Sequence, residues 1–264
     1  MKLSISNIAW SKDNDEDIYS FISQQNYSAI EIAPTRIIQE NPYGNISTGK
    51  VFTQNLNKKY NLDICSMQSI LFGRTESLFG INKEREELLN YIKKAIDFAS
   101  NINCKNLVFG SPKNRIIVND KQYPIAINFF NELGNFAAQN NTTVSIEANP
   151  TIYGTNFINT TKQAFQLVQD VNSKGFKVNV DLGTIIQNDE NIDQIIDNID
   201  LINHIHISEP NLELIKNRKL HKDLSKKLKK TNYDKYVSIE MKLQENIDDI
   251  KKTIIYIKEV FNDN

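Results

Sequence analysis

From one end to the other the chain alternates short β-like runs with longer segments of helical periodicity, and few folds accept that pattern. The runs are Leu3–Ile8, Ala29–Ala33, Asp63–Met67, Asn106–Phe109, and four more that end in Glu147, Asp181, His206 and Glu240. Between them, an acidic Asp13–Asp17 cluster opens a first helix, as the positive end of a helix dipole favours. Helical spacing recurs over Gly49–Lys59, Glu84–Asn101 and Pro124–Gln139. Thr160-Thr161-Lys162-Gln163 reads as a capping box for a helix through Val171. Further helices are expected near Asn191–Ile199, over the basic Lys216–Lys229 stretch and over Ile247–Phe261, whereas Thr35–Gly44 and Leu182-Gly183-Thr184 read as loops. Eight β/α units in 264 residues match the ~250 typical of one (β/α)₈ TIM barrel, so residues 1–264 are expected to form one α/β domain. An open doubly wound sheet would need a glycine-rich phosphate turn after its first strand. Asn7-Ile8-Ala9-Trp10-Ser11 contains no glycine.

Charge is balanced, 31 Lys and Arg against 32 Asp and Glu. That argues against nucleic acid or an anionic membrane as a partner. Cys65 and Cys104 stand in apolar runs without CxxC spacing, as expected of buried free thiols in a reducing compartment. The N-terminal residues Met1–Ile5 run straight into a charged stretch with no signal-like apolar core, and nowhere do about 18 apolar residues follow one another. A cytoplasmic protein without a membrane span is the expectation.

Four β runs share one design. In Val144-Ser145-Ile146-Glu147, Val178-Asn179-Val180-Asp181, His204-Ile205-His206-Ile207 and Val237-Ser238-Ile239-Glu240, apolar and polar residues alternate, so one face of each strand is apolar and the other polar. Glu147, Asp181, His206 and Glu240 follow one another at 34, 25 and 34 residues, about one β/α unit each. Near the carboxyl ends of successive parallel strands they can meet around one ion. Three carboxylates and an imidazole suit Mn²⁺, Mg²⁺, Co²⁺ or Fe²⁺ better than a sulphur-rich zinc site. Two residues earlier on the same face lie Ser145, Asn179, His204 and Ser238, small or polar where barrels favour Val, Ile and Leu, and set to orient the four ligands from below. Gln68, Asn149 and Glu209, beside strand ends, are expected to touch a substrate, as are His221 and the loop cations Lys113 and Arg115, which could grip a phosphate or carboxylate. Arg36, Arg74 and Glu31 occupy other strand ends and rank below these.

Ser145–Pro150, Asp181-Leu182-Gly183, His204–Asn211 and Tyr233–Glu240 resemble strands five to eight of the xylose-isomerase-like superfamily, closest to its D-tagatose 3-epimerase and sugar-phosphate isomerase/epimerase group. The resemblance implies a metal held by Glu147, Asp181, His206 and Glu240, with Glu147 and Glu240 doubling as acid and base. It implies proton transfer next to a carbonyl of a sugar or sugar phosphate through a metal-stabilised enediolate. Two departures stand out. Those epimerases carry a histidine three residues after the strand-six aspartate and an arginine six residues after the metal histidine. Here the positions hold Thr184 and Leu212, against a plain D-tagatose-type substrate. A metal-dependent dehydratase on the same scaffold is the alternative. An endonuclease IV-like repair enzyme ranks lower, because its metal cluster draws on many histidines and this chain has three. A homodimer is compatible with the apolar, aromatic-containing loops.

Overall fold

The computed structural model describes residues 1–262. Eight strands form one parallel sheet in the order β1-β8-β7-β6-β5-β4-β3-β2. They are β1 (Lys2–Ile5), β2 (Ala29–Ile32), β3 (Asp63–Met67), β4 (Leu107–Phe109), β5 (Val144–Glu147), β6 (Phe176–Asp181), β7 (Ile202–Ile207) and β8 (Tyr236–Ile239). The remaining seam, β1 against β2, is held by a parallel bridge between Ser6 and Glu31. The result is a (β/α)₈ barrel, nearly closed.

Helices α1 (Asp15–Gln24), α2 (Pro34–Ile37), α3 (Ile46–Tyr60), α4 (Asn82–Asn101), α5 (Tyr123–Gln139), α6 (Thr161–Val171), α7 (Leu182–Asn188), α8 (Asp193–Asp197), α9 (Lys219–Leu228) and α10 (Ile247–Phe261) surround it. Each long helix turns an apolar stripe to the strands. In α4 the buried positions are Leu88, Ile92, Ala95, Ile96 and Ala99, the three-and-four spacing of one helix face. Such stripes cover the outward strand residues of the barrel, among them Ile146, Val180, Ile205 and Val237, all 0–1% exposed. Each such side chain contributes on the order of 1.5–3 kcal/mol by leaving water. Among the described residues no helix is long and apolar enough to cross a membrane.

Four local departures from the sequence expectations have physical causes. β1 stops at Ile5, and Asn7–Ala9 turns as a short 3₁₀ segment. Pro34 opens α2 where a loop is expected, because proline's fixed φ suits a helix's first position. Asp181 caps α7 over Leu182–Asn188, also expected as loop. The Asn191–Ile199 segment is split, α8 ending at Asp197 before a 3₁₀ turn over Ile199–Leu201.

Register explains how the strand ends align. Glu147 pairs with Asn179, Asp181 with His206, and His206 with Ser238. Barrel strands tilt by about 36°, so equal height requires stepping forward along successive strands. Asp181 lies two residues beyond the partner of Glu147, and Glu240 two beyond the partner of His206. That staggering lifts all four to one level.

Candidate functional site

At that level the oxygens of Glu147, Asp181 and Glu240 and a ring nitrogen of His206 all lie within 4.8 Å of one another. His206 Nδ1 stands 3.0 Å from Glu147 Oε2 and 3.1 Å from Glu240 Oε2. The imidazole is fully buried, whereas the two glutamate side chains keep 12% and 10% of their surface open at the barrel mouth.

Two of the carboxylates are held from the sides. Asn179 Nδ2 donates to Glu147 Oε2 at 2.6 Å and lies 3.1 Å from His206 Nδ1. Asn149 Nδ2 reaches Glu147 Oε1 at 3.2 Å. The Asp181 carboxylate is tied at both oxygens. Oδ1 accepts from the Thr184 backbone N–H at 2.6 Å and its hydroxyl at 2.9 Å, and Oδ2 accepts from the Ser208 hydroxyl. Thr184 thus completes the N-terminal turn of α7 and fixes a carboxylate in the same step.

Electrostatics at this point call for positive charge. Burial, with the charge of Glu147 adding to it, pushes the Asp181 carboxyl up to about 6. Burial also raises Glu240 to about 7, although His206 pulls the other way. Burial would lower His206, but the carboxylates of Glu240, Glu31 and Glu147 outweigh it and raise its pKa well above the ordinary value. A cation at the centre satisfies the same charges as a shared proton does. Three hard oxygen donors and one imidazole, already within reach of a common point, fit a divalent ion.

The other residues singled out in the sequence fall into distinct places. Gln68, at the end of β3, is buried and directs Nε2 to Ser6 Oγ at 3.3 Å. Arg115 is fully buried behind Glu147, donating to its backbone carbonyl at 2.7 Å, and burial lowers its pKa to about 10. Lys113 is exposed on the short Pro112–Asn114 turn after β4. His204 packs edge-on against the His206 ring, with centroids 5.2 Å apart. Ser238 lies buried in the same register row as His206.

Three residues have partners other than those expected. Ser145 donates at 2.6 Å to Asn106 Oδ1, whose side chain also takes Asn203 and reaches Ser66, so its hydroxyl serves the lower barrel rather than a ligand. Glu209, with 2% of its surface exposed, is gripped by the Arg218 guanidinium and accepts from the Lys216 backbone N–H. His221 is buried on α9 and meets the Tyr256 hydroxyl of α10 at 3.0 Å, because the stripe His221, Leu224, Ser225 and Leu228 is the face that α9 turns inward.

Glu31, ranked low in the sequence, proves central: its carboxylate is fully buried beneath the site, with Oε2 3.0 Å from His206 Nε2. The signal that could have found it is the alternation in Ala29-Ile30-Glu31-Ile32, the same design as the other four runs.

A search of the curated proteins finds no match. Solved structures of the same shape are many. The 3-keto-D-glucoside 4-epimerase YcjR from E. coli superposes with a TM-score of 0.79 at 19% identity, over 98% of this chain and 99% of that one. D-psicose 3-epimerase from Clostridium cellulolyticum H10, solved with D-tagatose, gives 0.74 at 14% identity, over 100% and 91%. The probable 3-DHS dehydratase AsbF from Bacillus anthracis, involved in petrobactin synthesis, gives 0.69 at 18% identity, over the whole of both chains. A family model described as xylose isomerase-like TIM barrel matches residues 21–260, which takes in all four strands of the cluster and seven of the eight in the barrel. The chain belongs to the xylose isomerase-like TIM-barrel family.

Proposed function

We propose that the protein is a divalent-metal-dependent epimerase or isomerase of a sugar or sugar phosphate, with residues 1–264 working as one domain. The observation that carries this reading is the meeting of Glu147 and Glu240 on either side of His206 Nδ1, both still open to the barrel mouth. The likeness in shape to enzymes named as sugar epimerases supports it.

Glu147, Asp181, His206 and Glu240 would hold the ion, Mn²⁺, Mg²⁺, Co²⁺ or Fe²⁺ by donor type. When bound, the ion supplies Lewis-acid polarisation of a substrate carbonyl, which makes the neighbouring C–H acidic. The chain supplies the rest. Asp181, tied at both oxygens, serves as a fixed ligand. Glu147 and Glu240 each reach the mouth and act as the proton acceptor and the proton donor. Asn179 and Asn149 hold the Glu147 carboxylate in place for that exchange. Return of the proton to the other face of the same carbon gives an epimer, and return to the adjacent carbon gives an aldose–ketose isomer. Asn149, Gln68 and Lys113 are the proposed substrate contacts. Glu209 and His221 are engaged elsewhere, and Arg115 supports Glu147 from behind.

The test is deuterium exchange. With Mn²⁺ and a panel of ketohexoses and 3-keto-glucosides in D₂O, the wild type should place deuterium on the carbon beside the carbonyl. Glu147→Gln and Glu240→Gln should each slow exchange about 10²- to 10⁴-fold while the protein stays folded. Full exchange in either variant removes that glutamate from the chemistry. The full-length match to AsbF favours a dehydratase as the second reading. A product lighter by one water would establish it, since an epimer keeps the substrate's mass.

A further inference from the structure

Beneath the four-donor cluster, and sharing His206 with it, lie two ionisable side chains that the proposed chemistry does not use, Glu31 and His204. Glu31 comes from β2, on a different side of the barrel from β7, and no part of its side chain reaches solvent. A buried carboxylate without partners costs several kcal/mol, so its neighbours define its purpose. Oε2 lies 3.0 Å from His206 Nε2 and 3.5 Å from His204 Nε2, while Oε1 has no partner.

We propose that Glu31 is a positioning residue that fixes the ring of His206, holding the proton on Nε2 so that the Nδ1 lone pair faces the metal site. An ionised carboxylate only accepts hydrogen bonds, so the contact at Nε2 asks for a proton there. At the other nitrogen, Asn179 Nδ2 is a donor 3.1 Å away, which asks for a lone pair on Nδ1. Without a cation the Glu147 and Glu240 oxygens, 3.0 and 3.1 Å from Nδ1, favour a proton there instead; once a cation takes up those two carboxylates, Glu31 and Asn179 select the same tautomer. A carboxylate behind a ligating imidazole also makes that imidazole a stronger donor. His204 packs edge-on against His206, with ring centroids 5.2 Å apart, and fills the space beside the ring.

This assignment rests on the reading of the upper cluster as a metal centre, and the experiment separates the two. Calorimetric titration of the full-length protein with Mn²⁺ should show one ion per chain. Glu31→Leu should weaken binding about 10- to 100-fold. Glu31→Gln keeps an acceptor oxygen, so it should recover part of the loss. It also carries the test should the leucine variant fail to fold. In ¹⁵N-histidine spectra of the Zn²⁺-loaded protein, the wild type should show a hydrogen-bonded Nε2–H on a ring ligated through Nδ1. That proton signal should shift upfield in Glu31→Gln, a change that loosened packing alone would not produce. Unchanged affinity in both variants, or ligation through Nε2, would overturn the role of Glu31 while leaving the metal centre standing. Two ions per chain would also overturn it, by making Nε2 a ligand of an inner site. A wild type that binds neither Mn²⁺ nor Zn²⁺ would overturn the metal centre itself and this assignment with it.

Discussion

The Glu147 carboxylate occupies the space that a side chain on Gly110 would need. A Cβ built on Gly110, just past the end of β4, falls 2.8 Å from Glu147 Oε1. That is closer than real Cβ atoms come to an oxygen, so one of the two must move. The mobile partner is the carboxylate, the far end of a flexible side chain, and the backbone of Gly110 is spared. Gly110→Ala should therefore leave the fold nearly intact, with a melting temperature within a few degrees of wild type, a change of under about 1 kcal/mol. It should displace Glu147 from its contacts with Asn179 and Asn149. A 1 Å misplacement of a reacting group can cost on the order of 10²-fold in rate, so kcat/KM should fall at least tenfold. Thermal unfolding and steady-state kinetics on one sample check both halves. A variant that loses stability but keeps its rate would show that the glycine serves packing instead.

At the level of elements, α9 and α10 illustrate how much the sequence reveals and where it stops. The basic run Lys226–Lys230 makes the Lys216–Lys229 stretch look like a solvated helix, and its outer face is one. The inner stripe, however, buries His221 against Tyr256. Burial lowers the His221 pKa to about 4, with the Arg218 charge adding to it and Glu209 opposing. The unfolded chain titrates this ring near 6.5, so between 6.5 and 4 the unfolded state binds the proton more readily. The stability due to a neutral His221 is thus fully present above pH 6.5 and lost as pH falls toward 4. His221→Asn keeps a polar partner for Tyr256 and removes that titration. Between pH 7.5 and 5.0 the wild type should lose about 2 kcal/mol more than the variant in urea unfolding. Equal losses would place the acid sensitivity elsewhere. Periodicity and capping chemistry made the long elements legible: Thr160 and Gln163 exchange the two hydrogen bonds of the box read from their spacing. The four upper donors were legible because each ends an alternating run. Glu31 carries the same alternation within Ala29–Ile32, but its place beside His206 does not show in the sequence, because only barrel closure brings β2 within reach of β7. Helix α7 was hidden for a related reason, because Asp181 reads as the end of a strand and its capping role depends on Thr184 folding back onto it.

Across the whole molecule charge nearly cancels, so general repulsion contributes little to how stability varies with pH, and a few buried groups dominate. Without a cation, burial and mutual repulsion raise Asp181 to about 6 and Glu240 to about 7, above the ~4 of an unfolded chain. The folded state then holds more protons than the unfolded one. That contribution to stability is present below about pH 4 and is lost as pH rises through 6 to 7. His206 acts in the same sense at higher pH, because its raised pKa keeps a proton that the unfolded chain releases near 6.5. The buried neutral rings of His204 and His221 act in the opposite sense, so the melting temperature of the metal-free protein alone is ambiguous. The increment on adding metal is not, because those two terms cancel between the loaded and the stripped protein. A cation replaces protons that have to leave at low pH and have already left at high pH. Mn²⁺ at about 100 times its Kd should stabilise the stripped protein by about 2.7 kcal/mol, or roughly 5–10 °C. At a fixed Mn²⁺ concentration the increment should be larger at pH 8 than at pH 5.5. Asp181→Asn, which removes one of the competing carboxylates, should shrink the increment at pH 8 and flatten its dependence on pH. Scanning calorimetry on chelator-treated protein, with and without Mn²⁺ at the two pH values, measures each of these quantities. An increment of equal size at both would mean that the ion binds somewhere other than among these carboxylates.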